Sequence, residues 1–440
     1  AIQAMNQLAP IFGPQLCQDV AIAEMLTLSM DETSGIKKAV AANLGGIAAV
    51  VGQSVTVEKL FPLLQSLSKD ESWLVRAGCC SSLVQVSANV DAAVRTSQLM
   101  EIFSALAKDG ARPVRLAAYE HLGPLIATLE HGTVAPEVLK QFTDMAIRDD
   151  TTESELVEYC AFSFPAVLQS CGPERWPELE TTYLSLMEDP QWKVRRSLSH
   201  SLHEVAQLVG ADVAAQVLTH AMDMFMQDMD EVRIGVLEHL TDFIKVLPME
   251  KREECVTALC EMIPELKNWR LRDIFASQLG GLADLVGPEV CSSTIATCGI
   301  RLLEDSVQEV RVSMFHSITL VLKQLWNGEP SHRAELLAYV VGLAAQPTYK
   351  ARQMFAYIAQ EIAEMELSGT TTLFFEDFLA PLSALATDSV ANVRLIVAKV
   401  VSATLSNTDK YKDLPRVQQM RQTLVQDPDR DTAWLAAQEV

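Results

Sequence analysis

Apolar side chains recur along this chain in short helical stripes, each interrupted by a polar turn and resumed on a second stripe. Around Trp192, the residues Leu179, Tyr183, Leu184, Leu186 and Met187 share one helical face, and the run from Glu188 to Gln191 breaks it. A second stripe follows at Val194, Leu198, Leu202, Val205, Ala206 and Val209 and stops at Gly210. Pro190 suits the turn because it lacks the amide hydrogen that a helix interior needs. The spacing predicts two antiparallel helices and a short connection. The same turn, with Val-Arg or a close variant opening the second helix, returns at Arg76, Arg115, Arg195, Arg233, Arg272, Arg311, Arg352 and Arg394. The steps are 39, 80, 38, 39, 39, 41 and 42 residues, the 80 being a doubled period. A fixed period of this size marks a helical solenoid, in which each helix pair buries its apolar face only against its neighbours. The expected fold is all-α, an α-solenoid of about eleven helix pairs in a right-handed superhelix.

Asp70, Asp109, Asp189, Asp305 and Asp388 each lie six residues before their Arg. A carboxylate there accepts amide hydrogens left over where a helix starts, and the Arg can bridge neighbouring turns, so the regular pairs read as a stacking ladder. Of the turns without that Asp, two stand out. Lys267 to Arg270 and Gln346 to Tyr349 lack the Asp and carry Trp269 and Tyr349, each beside a basic residue, a composition favoured at interface anchors. A third irregularity lies between Arg115 and Arg195, where Asp149 to Glu155 replaces the usual turn. The loop-like run Glu130 to Pro136 precedes it, and a helix from Leu156 to Leu168 containing Pro165 follows. The chain is accordingly divided into N-terminal repeats over 1–136, an irregular repeat or hinge over 137–175, and C-terminal repeats over 176–440. Breaks at Trp326 to His332 and Met365 to Thr372 account for the wider steps. The stripe Ile2, Met5, Leu8, Ile11 and Phe12 is a helix already under way, so the sequence is expected to begin partway through a repeat.

Composition narrows the partners. A formal charge of -22 and a pI near 4.8 argue against nucleic acid, whose binding relies on Lys and Arg neutralising phosphates, and favour basic protein surfaces. The nine cysteines show no CxxC pair and no disulfide spacing, so they read as small buried hydrophobes in a reducing compartment. The apolar stretch Ala39 to Val51, interrupted by Asn43 and Gly45-Gly46, is too short to span a bilayer, and no signal peptide is evident. His200, His203 and Glu204 share a helix but lack a third ligand and the His-Glu-x-x-His order of zinc hydrolases. No phosphate-cradling loop, dinucleotide fingerprint or nucleophile elbow appears, and the cluster Met222, Met224, Met226 and Met229 reads as core. The expectation is a chain that is not an enzyme and has no metal or cofactor.

The turn-and-helix pattern resembles the HEAT repeat. Within it, Asp189 to Leu198, Leu202 to Ala206, Asp228 to Leu240 and Asn268 to Arg272 closely resemble the regulatory-subunit-1 family of protein phosphatase 4, with Ala41 to Gly45, Tyr159 to Pro165 and Val390 to Lys399 in support. The C-terminal half is also similar to the scaffold subunit of protein phosphatase 2A. The resemblance implies a serine/threonine phosphatase catalytic subunit as partner, with phosphoprotein substrates or their adaptors, in the cytoplasm or nucleus; charge and hydropathy lead us to expect no nucleic acid and no membrane. It implies partner contacts at Asn268, Trp269, Arg270, Arg272, Tyr349, Arg352, Val390 and Asn392. Gln308 and Ala433 depart from the scaffold pattern, where an aromatic and a basic residue stand, and Glu130 to Pro136 is short where the family carries a long acidic insertion. The alternatives are a phosphatase 2A-type scaffold and a HEAT-repeat transport adaptor.

Overall fold

A computed structural model of the chain describes residues 2–147, 154–326, 328–369 and 372–438. It comprises two compact units, Ala1–Val213 and Ala214–Val440. Each is a succession of helix pairs at the predicted period, all-α as expected. In the first unit Phe61–Leu67 precedes Trp73–Ala88, and Trp176–Met187 precedes Trp192–Val209. In the second, Met249–Met262 precedes Trp269–Ala283, Ala296–Leu303 precedes Gln308–Trp326, Pro330–Gly342 precedes Tyr349–Ser368, and Leu379–Leu385 precedes Ala391–Val400. The second-helix stripe at Val194, Leu198, Leu202, Val205 and Ala206 is buried as its spacing requires, and the helix ends at Gly210, whose φ of 83° lies in the left-handed region that glycine tolerates.

Several first helices are entered through a π turn, at Cys17–Ala21, Thr56–Leu60, Arg95–Leu99, Cys291–Ile295 and Phe374–Phe378. One extra residue per turn rotates the following face, and its recurrence at the same place in successive repeats makes it part of the repeat geometry. Successive second helices approach closely through small residues. Ser82 Oγ donates to the Ala41 carbonyl at 2.6 Å, and Ser317 Oγ to the Ala276 carbonyl at 2.5 Å, both across 41 residues. A Cβ on Gly280 would lie 2.7 Å from Leu320 Cδ1 and 3.1 Å from Ser317 Cα. Gly45 and Gly46 play the same part. They do not break the helix Ser34–Val55 but leave room for the side chains of Gln85 and Asn6.

The structure alters four local expectations. The run Ser34–Leu67 is longer than the Ala39 to Val51 stretch, and with an 18-residue window of mean hydropathy 1.5 it is long and apolar enough to cross a membrane. It is bent at Gly52, where φ is 78°, and its buried Val40, Leu44 and Ile47 form part of the repeat core. The N-terminal stripe is not buried as a unit: Gly13 departs from helical geometry between Pro10 and Pro14, and Leu8, Ile11 and Phe12 are exposed while Ile2 and Ala9 are buried. Of the methionine cluster only Met222 and Met226, four apart on one face, are core, and Met224 and Met229 face solvent. The helix Tyr349–Ser368 runs through Met365, so that break starts at Gly369. In the segment read as a hinge, helices Pro136–Asp144 and Ser154–Cys171 belong to the first unit, and 148–153, where the Val-Arg turn is replaced, lie outside the described residues.

Candidate functional site

The ladder is built from two contacts per rung. The Arg Nη1 donates to the backbone carbonyl of its own repeat's Asp, six residues back: Arg76 to Asp70 at 2.8 Å, Arg115 to Asp109 at 2.9 Å, Arg394 to Asp388 at 2.7 Å. The rest of the guanidinium forks onto the carboxylate of the next repeat's Asp. Arg76 holds Asp109 at 2.6 and 2.8 Å, Arg272 holds Asp305 at 2.5 and 3.0 Å, Arg352 holds Asp388 at 2.6 and 3.0 Å, and Arg394 holds Asp427 at 2.6 and 2.9 Å. Lys37 starts the series on Asp70 at 2.6 Å. Each carboxylate also accepts an amide two residues on, as Asp109 does from Ala111 and Asp388 from Val390, both at 2.8 Å, closing the turn. These bidentate, largely buried pairs hold neighbouring repeats in register.

Where the Asp is absent, the rung opens. At two of the turns without it, Leu266 and Gln346 occupy the Asp position, each following a 3₁₀ turn, Ile263–Glu265 and Leu343–Ala345. Their carbonyls still accept from Arg272 and Arg352. The preceding Arg, however, loses its carboxylate. Arg233 turns back to Asp230 at 3.2 Å and to the Met226 carbonyl at 3.1 Å. Arg311 bonds the Asp305 carbonyl, and among the described residues no carboxylate lies within ion-pair distance of it.

This geometry sorts the residues that the resemblance marks. Arg272 is 8 % exposed and Arg352 half-buried, and both are saturated by their Asp and by turn carbonyls. The ion pairs hold the Asp388 carboxyl below its ordinary range and raise both guanidinium groups. Asn268 stands in for the missing cap, its Oδ1 accepting from the Arg270 amide at 3.0 Å and its Nδ2 donating to Asp230 at 2.8 Å. Trp269 is half-buried with the exposed Arg270 guanidinium 5.2 Å from its ring centre. Val390 is half-buried at the turn before Ala391–Val400. Tyr349, 42 % exposed, and Asn392 meet in one groove of about 350 Å³ that also takes in Gln308, Arg311, Val312 and Lys350. A stacked pair, Phe315 and Tyr357 with ring centres 5.6 Å apart, forms part of its wall.

Reading the sequence alone missed two things. Aromatics three residues before the ladder Arg are not confined to the irregular turns, since Trp73 and Trp192 stand at the same position in turns that keep their Asp. What sets the irregular turns apart is the absent carboxylate and the basic side chains around it that make no ion pair among the described residues: Lys267 and Arg270 at one turn, Arg311 and Lys350 at the other. Arg311 could have been found from the sequence by matching each Arg to the Asp of the following repeat instead of its own. In a chain of net charge -22, each of these two turns carries two basic side chains. A second open groove, of about 810 Å³, lies in the first unit between Ser154–Cys171 and Trp192–Val209, with Phe162, Arg196, His200 and Glu204 in its lining.

Comparison with known proteins adds to this geometry. Residues 160–262 match the family described as protein phosphatase 4 regulatory subunit 1 middle domain, and residues 60–90 match the HEAT repeat. The chain is 32% identical over 316 residues to serine/threonine-protein phosphatase 4 regulatory subunit 1 of Homo sapiens, covering 69% of this chain and 33% of that protein. It is 22% identical over 294 residues to regulatory subunit 4 of the same phosphatase in Homo sapiens, covering 62% and 33%. The chain therefore spans about a third of the length of these relatives. Among solved structures it is similar to a chain of the Kap95:Nup1 complex, with TM-score 0.61 and 14% identity over 96% of this chain and 54% of that one. It is also similar to the karyopherin Kap121p bound to the extreme C-terminus of the protein phosphatase Cdc14p, with TM-score 0.53 and 13% identity over 99% and 50%. At such identities the karyopherins establish the fold.

Proposed function

From a chain related to regulatory subunit 1 of protein phosphatase 4, whose middle domain it carries at residues 160–262, we propose a non-catalytic scaffold that binds a serine/threonine phosphatase catalytic subunit and directs it to substrates. The observation that carries this reading is the pair of opened rungs in the second unit. The turns at Trp269 and Tyr349 give up a stabilising carboxylate and present aromatic and basic side chains outward on one continuous ridge. That ridge is tied from repeat to repeat by Ser313 Oγ to Asp273 at 2.6 Å and Gln353 Nε2 to the Asn392 carbonyl at 3.2 Å. Surrendered stability at a surface turn that also carries an aromatic anchor and a basic side chain is the physical signature of a binding edge. The Phe162 groove is assigned to phosphoprotein substrates or their adaptors, and the cytoplasm and nucleus are the compartments proposed.

A pull-down with the phosphatase 4 catalytic subunit tests the assignment. Trp269→Ala with Arg270→Glu, and separately Tyr349→Ala, should each weaken capture at least tenfold while leaving the helical circular dichroism unchanged. Undiminished capture by both variants would remove the ridge from the binding site. Substituting the phosphatase 2A catalytic subunit separates the two scaffold readings.

A further inference from the structure

We infer that the opened rung at Gln346 is a receptor for a carboxylate of the docked partner, and that Arg311 is the residue that receives it. The inference rests on the proposed phosphatase-binding reading and specifies the chemistry of one contact within it. Its basis is the repeat itself, which shows what an Arg at this position does when a carboxylate is available. Arg76, Arg272, Arg352 and Arg394 all fork onto an Asp of the next repeat with two donors. Arg311 has the same anchoring bond to the carbonyl six residues back, so its stem is held as theirs are. The next repeat offers Gln346 where the others offer Asp. Another Arg deprived in this way, Arg233, is satisfied by Asp230 of its own helix. At the equivalent position, three residues before Arg311, stands Gln308, which carries no charge. The site is thus a pre-shaped half of an ion pair.

Its surroundings fix the class of occupant. Lys350 adds a second cation that makes no ion pair among the described residues, and the nearest ladder carboxylate, Asp305, is engaged by Arg272 and by the Val307 amide. Val312 and Tyr349, both more than 40 % exposed, and the stacked Phe315 and Tyr357 line the same groove, while Gln308, Gln353 and Asn392 supply neutral polar groups. A planar fork beside apolar walls matches an Asp or Glu of a protein partner flanked by an aliphatic or aromatic side chain. The partner's carboxylate completes the rung that the chain leaves open. A regulatory chain that is acidic overall thereby presents a basic socket to its partner, and net charge alone points the other way.

The ladder supplies its own test, because the missing member can be put back. Gln346→Asp should let the new carboxylate accept from Arg311 and from the Thr348 amide, as Asp388 does from Arg352 and Val390. The expected result is a rise of about 1–3 °C in Tm together with a loss of about tenfold or more in affinity for the phosphatase 4 catalytic subunit. Arg311→Gln should lose affinity to a similar degree with Tm little changed. Arg311→Lys, which keeps the charge but not the fork, should fall between, and Gln346→Asn should behave as wild type in both measurements. If Arg311 were only a leftover of the repeat, Gln346→Asp would raise Tm and leave affinity unchanged, which overturns the inference while the wild-type complex stands. A wild-type chain that fails to bind the catalytic subunit overturns the proposed function and this contact with it. Binding abolished by dephosphorylating the catalytic subunit assigns the anion to a phosphate and overturns the carboxylate.

Discussion

Asp109, Asp388 and Asp427 owe their low proton affinity first to the Arg of the preceding repeat, which donates two hydrogen bonds to each. For Asp70 and Asp305 burial is the largest influence and acts upward, but Lys37 or Arg272 and a turn amide together outweigh it. In all five the folded carboxyl ionises at lower pH than in the unfolded chain. Between those two values the unfolded state binds more protons, so stability rises with pH; the contribution is complete above about pH 5 and is lost as pH falls through the depressed folded values. The variant carrying Asp109→Asn, Asp388→Asn and Asp427→Asn should therefore show a flatter fall of urea-unfolding stability below about pH 4 than wild type. An unchanged slope would mean the ladder adds nothing ionic. Removing one partner of the most enclosed pair costs more than the pair's net worth, because a charge is left without its counterion. Asp305→Ala should destabilise by about 3 kcal/mol in the same measurement.

The helix pair is the element whose fit is tightest, and its tolerance is set where second helices meet. Gly280 lies against Ser317 and Leu320, and the backbone of the neighbouring helix cannot move aside as a flexible side chain would. Gly280→Val should cost about 1–3 kcal/mol by overpacking, whereas Gly342→Ala, with nothing within 4 Å of its added Cβ, should be neutral or slightly stabilising. Thermal unfolding of the two variants side by side checks this. At this scale the sequence was legible for the stripe and the stop at Gly210, since both depend on local periodicity and on one left-handed residue. The role of Gly45-Gly46 was not legible, because a glycine pair inside an apolar run looks like a breaker until the neighbouring helix that needs the space is known. The π turns were hidden for a similar reason: one extra residue in a helical register leaves no compositional trace.

Across the whole molecule, burial is spread along the repeats instead of being gathered at one centre, and the cysteines follow it. All nine are free and buried. Burial pushes Cys80 and Cys291 up to about 12 and Cys171 and Cys255 up to about 11. A thiol with so little thiolate near neutral pH is a poor nucleophile. In the native protein none should react with a disulfide reagent at pH 8 on the timescale of minutes, and all nine should react once urea unfolds the chain. Rapid titration of even one native thiol would show that a repeat opens locally. The sequence alone determined the all-α repeat, its period, the buried cysteines and the two irregular turns, because each rests on contacts repeated locally or on the presence or absence of one residue at a fixed offset. Only the tertiary structure decided which carboxylate each Arg holds. That pairing joins residues 33 to 36 apart in adjacent repeats, so it took Arg272 and Arg352 into the ladder and left Arg311 facing the groove beside Tyr349 and Asn392.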